Sequence, residues 1–328
     1  MNSYIMRERF QLERQLYMKR IEMIVPCYNE SDVLEMFYNE VTPVMQSLQN
    51  LDYSFIFVND GSADNTLDII KSFAEKDSHV KYISFSRNFG KESAMLAGLK
   101  NSSADYVGIL DADLQHSPSL IPEMVHAVTD EGFDVAAAKR SDRKGESGFK
   151  SFLSNAFYKV ANKMTEVKID PGAQDFRIMK RKVVLSIVSM AEHNRFTKGI
   201  FSFVGFNTKW FAHENRERAA GETKWNLFKL LKYAMDGILG FSNAPLKLSF
   251  WSGALVFAFG FIYGIVFVIR RLVGHERLIS VNLMIALLCV IGGLILVCLG
   301  IIGEYLARIY TEVKNRPIYI IDETNIGE

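Results

Sequence analysis

The fold is decided by the stretch Tyr106-Val107-Gly108-Ile109-Leu110-Asp111-Ala112-Asp113-Leu114-Gln115. Its first half is an apolar run typical of a buried parallel strand, and two carboxylates follow, one residue apart. In an extended chain Asp111 and Asp113 project to the same side, because side chains alternate with a period of two. Like charges this close need a cation, and all-oxygen ligands favour Mg²⁺ or Mn²⁺. A polar β-turn is the alternative, which the triplet alone favours.

Length and composition narrow the class of protein. The 328 residues are enough for a large core and more than one domain. The 38 Lys and Arg residues nearly balance 37 Asp and Glu residues, so bulk charge gives no reason to expect a nucleic-acid partner. Three cysteines and six scattered histidines form neither a disulfide framework nor a zinc spacing. The charged segment 1–19 lacks the apolar region of a signal peptide, and we expect a short amphipathic helix or disorder there.

Strand and helix patterns alternate through the first half of the chain. Apolar runs predict strands at residues 21–26, 53–58, 80–85, 106–110 and 134–138. Apolar residues at helical spacing predict helices between them, and this rhythm indicates an α/β fold with an open, mostly parallel sheet. In such sheets ligands bind at the carboxyl ends of the strands. Polar segments follow these strands at 27–30, 59–62, 86–92 and 111–115. The sequence therefore predicts one site.

Two apolar runs near the C-terminus, 248–269 and 281–302, contain no charged residue. Twenty-two helical residues span about 33 Å, enough to cross a bilayer core of about 30 Å. Before them, 223–245 carries apolar residues at helical spacing among lysines, which predicts amphipathic helices in the membrane interface rather than on a soluble core. Basic residues flanking the runs outnumber those in the connecting loop by seven to three, which predicts a cytoplasmic catalytic domain and C-terminus.

Five motifs in order carry a family resemblance over about residues 20–315. Three segments resemble the GT-A catalytic domain of family-2 inverting glycosyltransferases: Ile24-Val25-Pro26-Cys27-Tyr28-Asn29-Glu30, Val58-Asn59-Asp60-Gly61-Ser62 and Asp111-Ala112-Asp113. Three segments resemble the polyprenyl-phosphate glycosyltransferases more narrowly: Ser86-Arg87-Asn88-Phe89-Gly90-Lys91-Glu92, the longer stretch Asp111-Ala112-Asp113-Leu114-Gln115, and Arg218-Ala219-Ala220-Gly221-Glu222-Thr223-Lys224-Trp225. That group includes dolichol-phosphate mannose synthase and bactoprenol glucosyltransferases.

The resemblance implies a bacterial membrane enzyme that moves one sugar, glucose or N-acetylglucosamine, from a UDP-sugar to undecaprenyl or another polyprenyl phosphate. The product would be a lipid-linked sugar for modifying cell-envelope glycans. The resemblance also implies a Mg²⁺ or Mn²⁺ cofactor and a homo-oligomer, a tetramer in relatives. One alternative is a processive polysaccharide synthase, which would carry a Gln-x-x-Arg-Trp motif and more membrane helices. The other is a non-catalytic lipid-binding or scaffold protein, which would have lost the Asp111–Asp113 pair.

The resemblance also assigns roles to residues. Nucleotide-sugar binding falls to Pro26, Tyr28, Glu30, Asp60 and Asp111. Metal binding falls to Asp111, Asp113 and Gln115. Binding of the acceptor phosphate falls to Arg140, Lys150 and Ser154. Direct roles in catalysis fall to Asp113, Asp175 and Arg218.

Several of these roles have structural alternatives. Asp60 precedes a glycine and is also typical of a plain turn. Gln115 is also a plausible start of a helix. Asp175 is as well suited to a structural salt bridge with Arg177 as to a direct role. Lys150 stands where related enzymes can carry arginine, so its role in the resemblance is less specific.

The predicted domain order places an N-terminal extension at 1–19 and the GT-A domain at 20–222. Amphipathic interface helices follow at 223–245, then a two-helix transmembrane hairpin at 246–304 and a cytoplasmic tail at 305–328. Within the tail, the segment 317–321 is expected to add a strand to this sheet or to that of a neighbouring subunit.

Overall fold

The computed structural model describes residues 18–140, 170, 172–190, 192–213, 216, 239–274 and 281–327. In these residues the strands are β1 (Lys19–Cys27), β2 (Leu51–Asn59), β3 (Val80–Phe85), β4 (Tyr106–Ile109), β5 (Val135–Arg140), β6 (Ala173–Lys180), β7 (Thr208–His213) and β8 (Ile321–Thr324). The helices are α1 (Leu34–Gln46), α2 (Thr66–Lys76), α3 (Lys91–Asn101), α4 (Ile121–Thr129), α5 (Arg181–Ser189), α6 (Thr197–Phe203), α7 (Ala244–Leu272) and α8 (Val281–Val313), with a 3₁₀ turn at Pro118–Leu120.

The strands form one sheet in the order β7-β5-β6-β4-β1-β2-β3-β8. Parallel pairs are β1–β2, β1–β4, β2–β3 and β5–β7, whereas β6 is antiparallel to β4 and β5 and β8 is antiparallel to β3. The predicted open α/β sheet is thereby confirmed. The chain leaves β1 toward β2 and β3 and then returns to β4 on the other side of β1. The carboxyl ends of β1 and β4 therefore flank a topological switch point, where ligands bind in such sheets.

Side-chain alternation along the strands builds an apolar layer on each face of the sheet. On β1, Met23 and Val25 join the layer formed with α1, α2 and α4, whereas Ile24 joins the layer formed with α3, α5 and α6. Gly98 brings α3 directly onto β1, because a Cβ there would lie 2.4 Å from Cγ2 of Ile24. Close packing on both faces makes the carboxyl end of the sheet a rigid platform for side chains.

The two apolar runs form the long helices α7 and α8. Within them Ala244–Val266 and Val290–Val313 are long and apolar enough to cross a membrane, and neither is buried inside the protein. The predicted pair of apolar helices is confirmed, although α8 continues eleven residues past the predicted end at residue 302. Just before α7 begins, the Ser242 carbonyl oxygen accepts from Tyr305 Oη of α8 at 2.6 Å. Residues 223–238 of the predicted amphipathic segment lie outside the described residues.

After α8 the chain returns to the sheet. β8 pairs with the edge strand β3, and Tyr319 stacks on Phe85 with ring centroids 5.0 Å apart. Lys71 Nζ lies 2.7 Å from Glu323 Oε1, and Asn325 Oδ1 accepts from the Tyr82 backbone N–H at 2.7 Å. The strand lies at Ile321–Thr324, later than the predicted 317–321, and it pairs with the sheet of its own chain.

Candidate active site

The loops that follow β1, β2, β3 and β4 meet at one edge of the sheet, the carboxyl edge. The Asp60 backbone N–H donates to the Cys27 carbonyl oxygen at 2.8 Å, so β1 and β2 end side by side. Asn29, in the left-handed region with φ 52°, then bonds across to the loop after β2: its N–H donates to Ser62 Oγ at 3.0 Å, and its Oδ1 accepts from Ala63 N–H at 2.8 Å. These bonds fix the end of β1 and the loop after it, which together carry three of the predicted nucleotide-binding residues.

Those three residues lie where β1 ends. Pro26 is half-buried on the strand, and the Tyr28 side chain is 37% exposed at the edge. Glu30 is half-buried, and its carbonyl oxygen accepts from the N–H groups of Val33 and Leu34 at the start of α1. The structure thus brings Pro26, Tyr28 and Glu30 together at the switch point.

Asp60 is buried under the loop after β3. Its carboxylate accepts from Asn88 Nδ2 at 3.0 Å, from the Phe89 N–H at 2.6 Å and from the Gly90 N–H at 2.9 Å. Burial raises the pKa of Asp60 to about 6, against the lowering effect of those two backbone bonds. Gly61 permits the close approach, because a Cβ there would lie 2.3 Å from the Arg87 carbonyl carbon. In this structure Asp60 therefore holds the loop that leads into α3.

That loop delivers a residue that the sequence analysis left without a role. Lys91, the first residue of α3, places Nζ 2.7 Å from Asp111 Oδ1 and 2.6 Å from Asp175 Oδ2. Burial opposes the charge on each group, but the pairing outweighs it. The two carboxylates raise the pKa of Lys91, and the ammonium holds the pKa of Asp175 well below its usual range. Lys91 thereby joins Asp111 and Asp175, which are 64 positions apart in the sequence.

Sheet topology explains that contact. β6 runs antiparallel to β4, with Ile109 opposite Arg177, so the start of β6 lies beside the end of β4. Asp175 therefore faces the segment that carries Asp111. The alternative salt bridge with Arg177 is not formed: that guanidinium donates to the Gln174 and Asp175 carbonyl oxygens at 2.7 and 3.3 Å and lies over the Phe201 ring.

The segment that carries Asp113 and Gln115 is a turn. β4 ends at Ile109, and Leu114, buried, adopts φ 55° in the left-handed region. Asp113 Oδ1 accepts from the Gln115 backbone N–H at 3.2 Å, which is an Asx turn. Asp111 and Asp113 therefore do not lie on an extended strand as predicted, because the strand ends before either residue. A non-glycine residue in the left-handed region is typical of functional loops.

The predicted acceptor residues are described only in part. Arg140 is half-buried at the end of β5, and its backbone N–H donates to the Gly172 carbonyl oxygen at 3.0 Å. Because β5 is antiparallel to β6, this end of β5 lies at the carboxyl edge. Lys150, Ser154 and Arg218 lie outside the described residues. Arg216, close to Arg218 in sequence, donates its backbone N–H to the Gln115 carbonyl oxygen at 3.0 Å.

Two further features were missed by the sequence analysis. Glu92 accepts from the Thr197 backbone N–H at 3.1 Å, and burial raises its pKa to about 8 with help from the nearby charge of Asp175. His116 and His213 are both buried, with Nδ1 and Nε2 3.0 Å apart. The only sequence signal for Glu92 was its position after a strand end, and nothing in the spacing of the two histidines indicated contact.

The donor atoms at the carboxyl edge suit a hard divalent ion. Asp111, Asp113 and Gln115 offer oxygen ligands, which Mg²⁺ and Mn²⁺ prefer. Among the described residues, no cluster of three or more His, Cys, Asp or Glu side chains is arranged to hold a metal. Mg²⁺ is usually bound by one or two carboxylates together with waters and substrate phosphates. Two aspartates are therefore sufficient protein ligands for such an ion.

Comparisons with known proteins cover both the sheet domain and the apolar helices. Residues 23–187 match the profile described as Glycosyl transferase family 2, and residues 244–309 match that of the GtrB C-terminal hairpin. The putative glycosyltransferase CsbB of Bacillus subtilis is 41% identical over 93% of this chain and 92% of its own length. The SfII prophage-derived bactoprenol glucosyl transferase of Shigella flexneri is 39% identical over 94% of this chain and 99% of its own length.

One solved structure is similar to part of this chain. Glucosyl-3-phosphoglycerate synthase from Mycobacterium tuberculosis, in complex with Mn²⁺, UDP-glucose and phosphoglyceric acid, matches with a TM-score of 0.46 at 17% identity. The match covers 69% of this chain and 79% of that chain.

Proposed function

Because the chain belongs to glycosyl transferase family 2 and is a glycosyltransferase, we propose that it transfers one glucosyl group from UDP-glucose to a polyprenyl phosphate, with inversion. The observation that carries this proposal is the 39% identity to a bactoprenol glucosyl transferase over almost the whole of both chains. That similarity includes the apolar helices, which a water-soluble acceptor would not require.

The donor would bind across the switch point. Tyr28 offers an exposed ring beside Pro26 and Glu30, where a uracil base can stack and form hydrogen bonds. Asp60 supports this pocket from beneath by fixing the loop after β3. The diphosphate would then point toward Asp111 and Asp113, and toward Lys91.

The metal proposal follows from the oxygen donors. Asp111, Asp113 and Gln115 would hold Mg²⁺ or Mn²⁺. When bound, the ion would neutralise charge on the departing diphosphate. Lys91 would add a positive charge from the protein itself, and Asp175 would position that charge through its 2.6 Å ion pair.

Transfer would proceed as a single displacement. A phosphate oxygen of the acceptor attacks the anomeric carbon from the face opposite the diphosphate and forms the new C–O bond. The bond from that carbon to the diphosphate oxygen breaks, and its electron pair leaves with UDP. The second pKa of a phosphate monoester is about 6, so the nucleophile is ionised near pH 7 and needs no general base. The residues therefore act mainly by positioning and charge stabilisation.

The acceptor phosphate would be bound by Arg140, Lys150 and Ser154, while Arg218 would contact the donor diphosphate. Arg140 supports this division because it lies at the carboxyl edge but on β5, across β6 from the donor loops. Charge-assisted hydrogen bonds from such side chains favour a phosphate dianion. Donor and acceptor anions would thus occupy separate pockets that meet near Asp113.

The membrane arrangement would be a hairpin with both ends on one side. The pairing of β8 with β3 supports this, because the chain must return to its own sheet after α8. The excess of basic residues beside the sheet domain supports a cytoplasmic location for that side. A homo-oligomer stays a prediction.

The test uses the purified full-length protein in detergent with undecaprenyl phosphate, Mg²⁺ and a panel of nucleotide-sugars, with lipid products analysed by mass. We expect a product carrying one hexose, formed from UDP-glucose and lost with Asp113→Asn. A product carrying N-acetylglucosamine would correct the sugar. Several sugars per lipid would indicate a processive enzyme, and no lipid product with any donor would contradict the acceptor.

A further inference from the structure

Lys91 combines a fixed backbone with a movable charge. It follows Gly90, whose φ of 97° favours glycine, and it begins α3. Its ammonium lies 2.7 and 2.9 Å from the two oxygens of Asp111 and 2.6 Å from Asp175 Oδ2. The side chain is nevertheless 43% exposed, and its flexible four-carbon stem can carry the charge elsewhere. Lys91 is thus a cation placed between two carboxylates without being enclosed there.

A divalent ion and Lys91 would compete for Asp111. Mg²⁺ binds carboxylate oxygens at about 2.1 Å, so an ion on either Asp111 oxygen would lie within about 5 Å of the ammonium in its present position. Two cations at that distance repel each other, and the repulsion is stronger in a partly buried site than in water. An arriving diphosphate removes the conflict, because its negative charge attracts both cations.

We propose that Lys91 is the internal counterion of the metal site: its ammonium competes with the divalent ion for Asp111 and moves onto the donor diphosphate when metal and nucleotide bind together. This rests on the proposed function, whose donor diphosphate it uses. Metal alone then binds weakly, and metal and nucleotide each strengthen binding of the other, because coupling between two ligands is reciprocal. Couplings of this kind typically change affinity about 5- to 150-fold.

A purely structural role for Lys91 makes a different prediction. The pair of Lys81 and Glu22, toward the opposite edge of the sheet, has the same charges and the same 2.6 Å contact. If Lys91 only stabilised the fold as Lys81 does, removing its charge would lower the melting temperature and would not tighten metal binding. Lys81 is therefore the matched control.

The experiment titrates the full-length protein in detergent with Mn²⁺ and reads the free ion by electron paramagnetic resonance, with and without UDP. Without UDP, we expect Lys91→Met to bind Mn²⁺ about 10- to 100-fold more tightly than the wild type. Lys91→Arg, which keeps the charge, and Lys81→Met should both stay close to the wild type. With UDP, the advantage of Lys91→Met should shrink, because that variant has lost its contact with the diphosphate.

Each outcome of the Mn²⁺ titration either supports or overturns the competition between Lys91 and the metal ion. Equal or weaker Mn²⁺ binding by Lys91→Met without UDP overturns the proposal, as does the absence of Mn²⁺ binding to both proteins. A lower melting temperature with unchanged Mn²⁺ affinity assigns Lys91 to the stability of the fold. If Lys91→Met binds Mn²⁺ more tightly but the enzyme forms no lipid product, the role of Lys91 as a counterion is supported and only the proposed acceptor is wrong.

Discussion

Two lysine–carboxylate groups lie at opposite ends of the strands, one around Lys81 and the other around Lys91. Their distances are similar, but they differ in how much hydrogen-bonding capacity the carboxylates leave for a ligand. Near the amino edge, where β1, β3 and β4 begin, Glu22 is buried and accepts from Lys81 Nζ at 2.6 Å. It also accepts from Ser102 Oγ at 2.5 Å and from the Ser103 N–H at 3.0 Å. A carboxylate surrounded by hydrogen-bond donors of the fold has no capacity left for a ligand.

At the carboxyl edge, by contrast, the carboxylates have few hydrogen-bond donors around them. Asp111 and Asp175 share one ammonium, and among the residues that the structure describes, the hydrogen bonds to their side-chain oxygens all come from Lys91. Negative charge therefore exceeds positive charge within this group, in contact with solvent. The comparison indicates that an ion pair points to a ligand-binding site when its carboxylates can still accept further hydrogen bonds or a cation.

The largest expected effect is a loss of activity that occurs at the carboxyl edge and not at the amino edge. Asp111→Asn should lower kcat about 100- to 1000-fold, because the variant loses a carboxylate that holds the metal and diphosphate. Glu22→Gln should keep the wild-type kcat per folded molecule. Initial rates of glucosyl transfer, corrected for the folded fraction, measure both. Similar losses of kcat in the two variants would erase the distinction between the edges.

The second prediction separates the edges by stability. Glu22→Gln should cost about 3 kcal/mol of unfolding free energy, the usual cost of breaking a buried charge pair. Burial opposes the charge of Glu22, but its partners hold the pKa of Glu22 below the ordinary value. Its stabilising effect is therefore present above the unfolded pKa of about 4.3 and is lost as the pH falls through the folded pKa. Denaturation at pH 7 and pH 3 measures this. A gap between wild type and variant that was as wide at pH 3 as at pH 7 would contradict it.

Much of the fold followed from local patterns. The strand predicted at 80–85 is observed as β3, and the strand predicted at 21–26 is extended only slightly in β1 (Lys19–Cys27). Apolar runs of this kind are buried on both faces, so their period and length are sufficient evidence. The antiparallel insertion of β6 between β4 and β5 was not predictable, because it depends on pairing between distant segments.

The same limit explains which site residues were missed. Lys91 follows a glycine at the start of a helix, and its sequence context is that of an ordinary exposed lysine. Only the placement of β6 beside β4 brings Asp175 to it. The left-handed turn at Leu114 was hidden as well, because leucine rarely adopts that region. Local sequence thus identified the edge, and long-range pairing determined its geometry.

The third prediction extends the comparison to arginines. Arg140→Ala should raise the apparent KM for polyprenyl phosphate about 10- to 100-fold, the loss of one charge-assisted hydrogen bond of about 1.5–3 kcal/mol. Arg20→Ala near the amino edge, where the side chain bonds to the Ser103 carbonyl oxygen at 3.2 Å, should leave this KM unchanged. UDP binding measured by calorimetry should be unaffected in both. A loss of UDP affinity in Arg140→Ala would contradict separate donor and acceptor pockets.

The last prediction concerns the sign of an effect: stability at the two edges depends on pH in opposite directions. Glu92 lies beside Lys91, and burial raises its pKa to about 8. The folded protein therefore keeps this proton up to about pH 8, whereas the unfolded chain loses it near pH 4.3. Between those values the folded state binds more protons, so stability falls as the pH rises and levels off above about 8. Glu22 acts in the other direction and only at acid pH.

Glu92→Gln tests that sign, because glutamine keeps an acceptor for the Thr197 N–H and cannot titrate. Melting temperatures in detergent from pH 5 to pH 9 should decline more steeply for the wild type than for Glu92→Gln. The curve of Glu22→Gln should instead run parallel to that of the wild type over this range, because Glu22 is ionised throughout it. If the wild type and Glu92→Gln gave parallel curves, Glu92 would already be ionised at pH 5. The group of Lys91, Asp111 and Asp175 would then have a further negative charge beside it, which Lys91 could not balance.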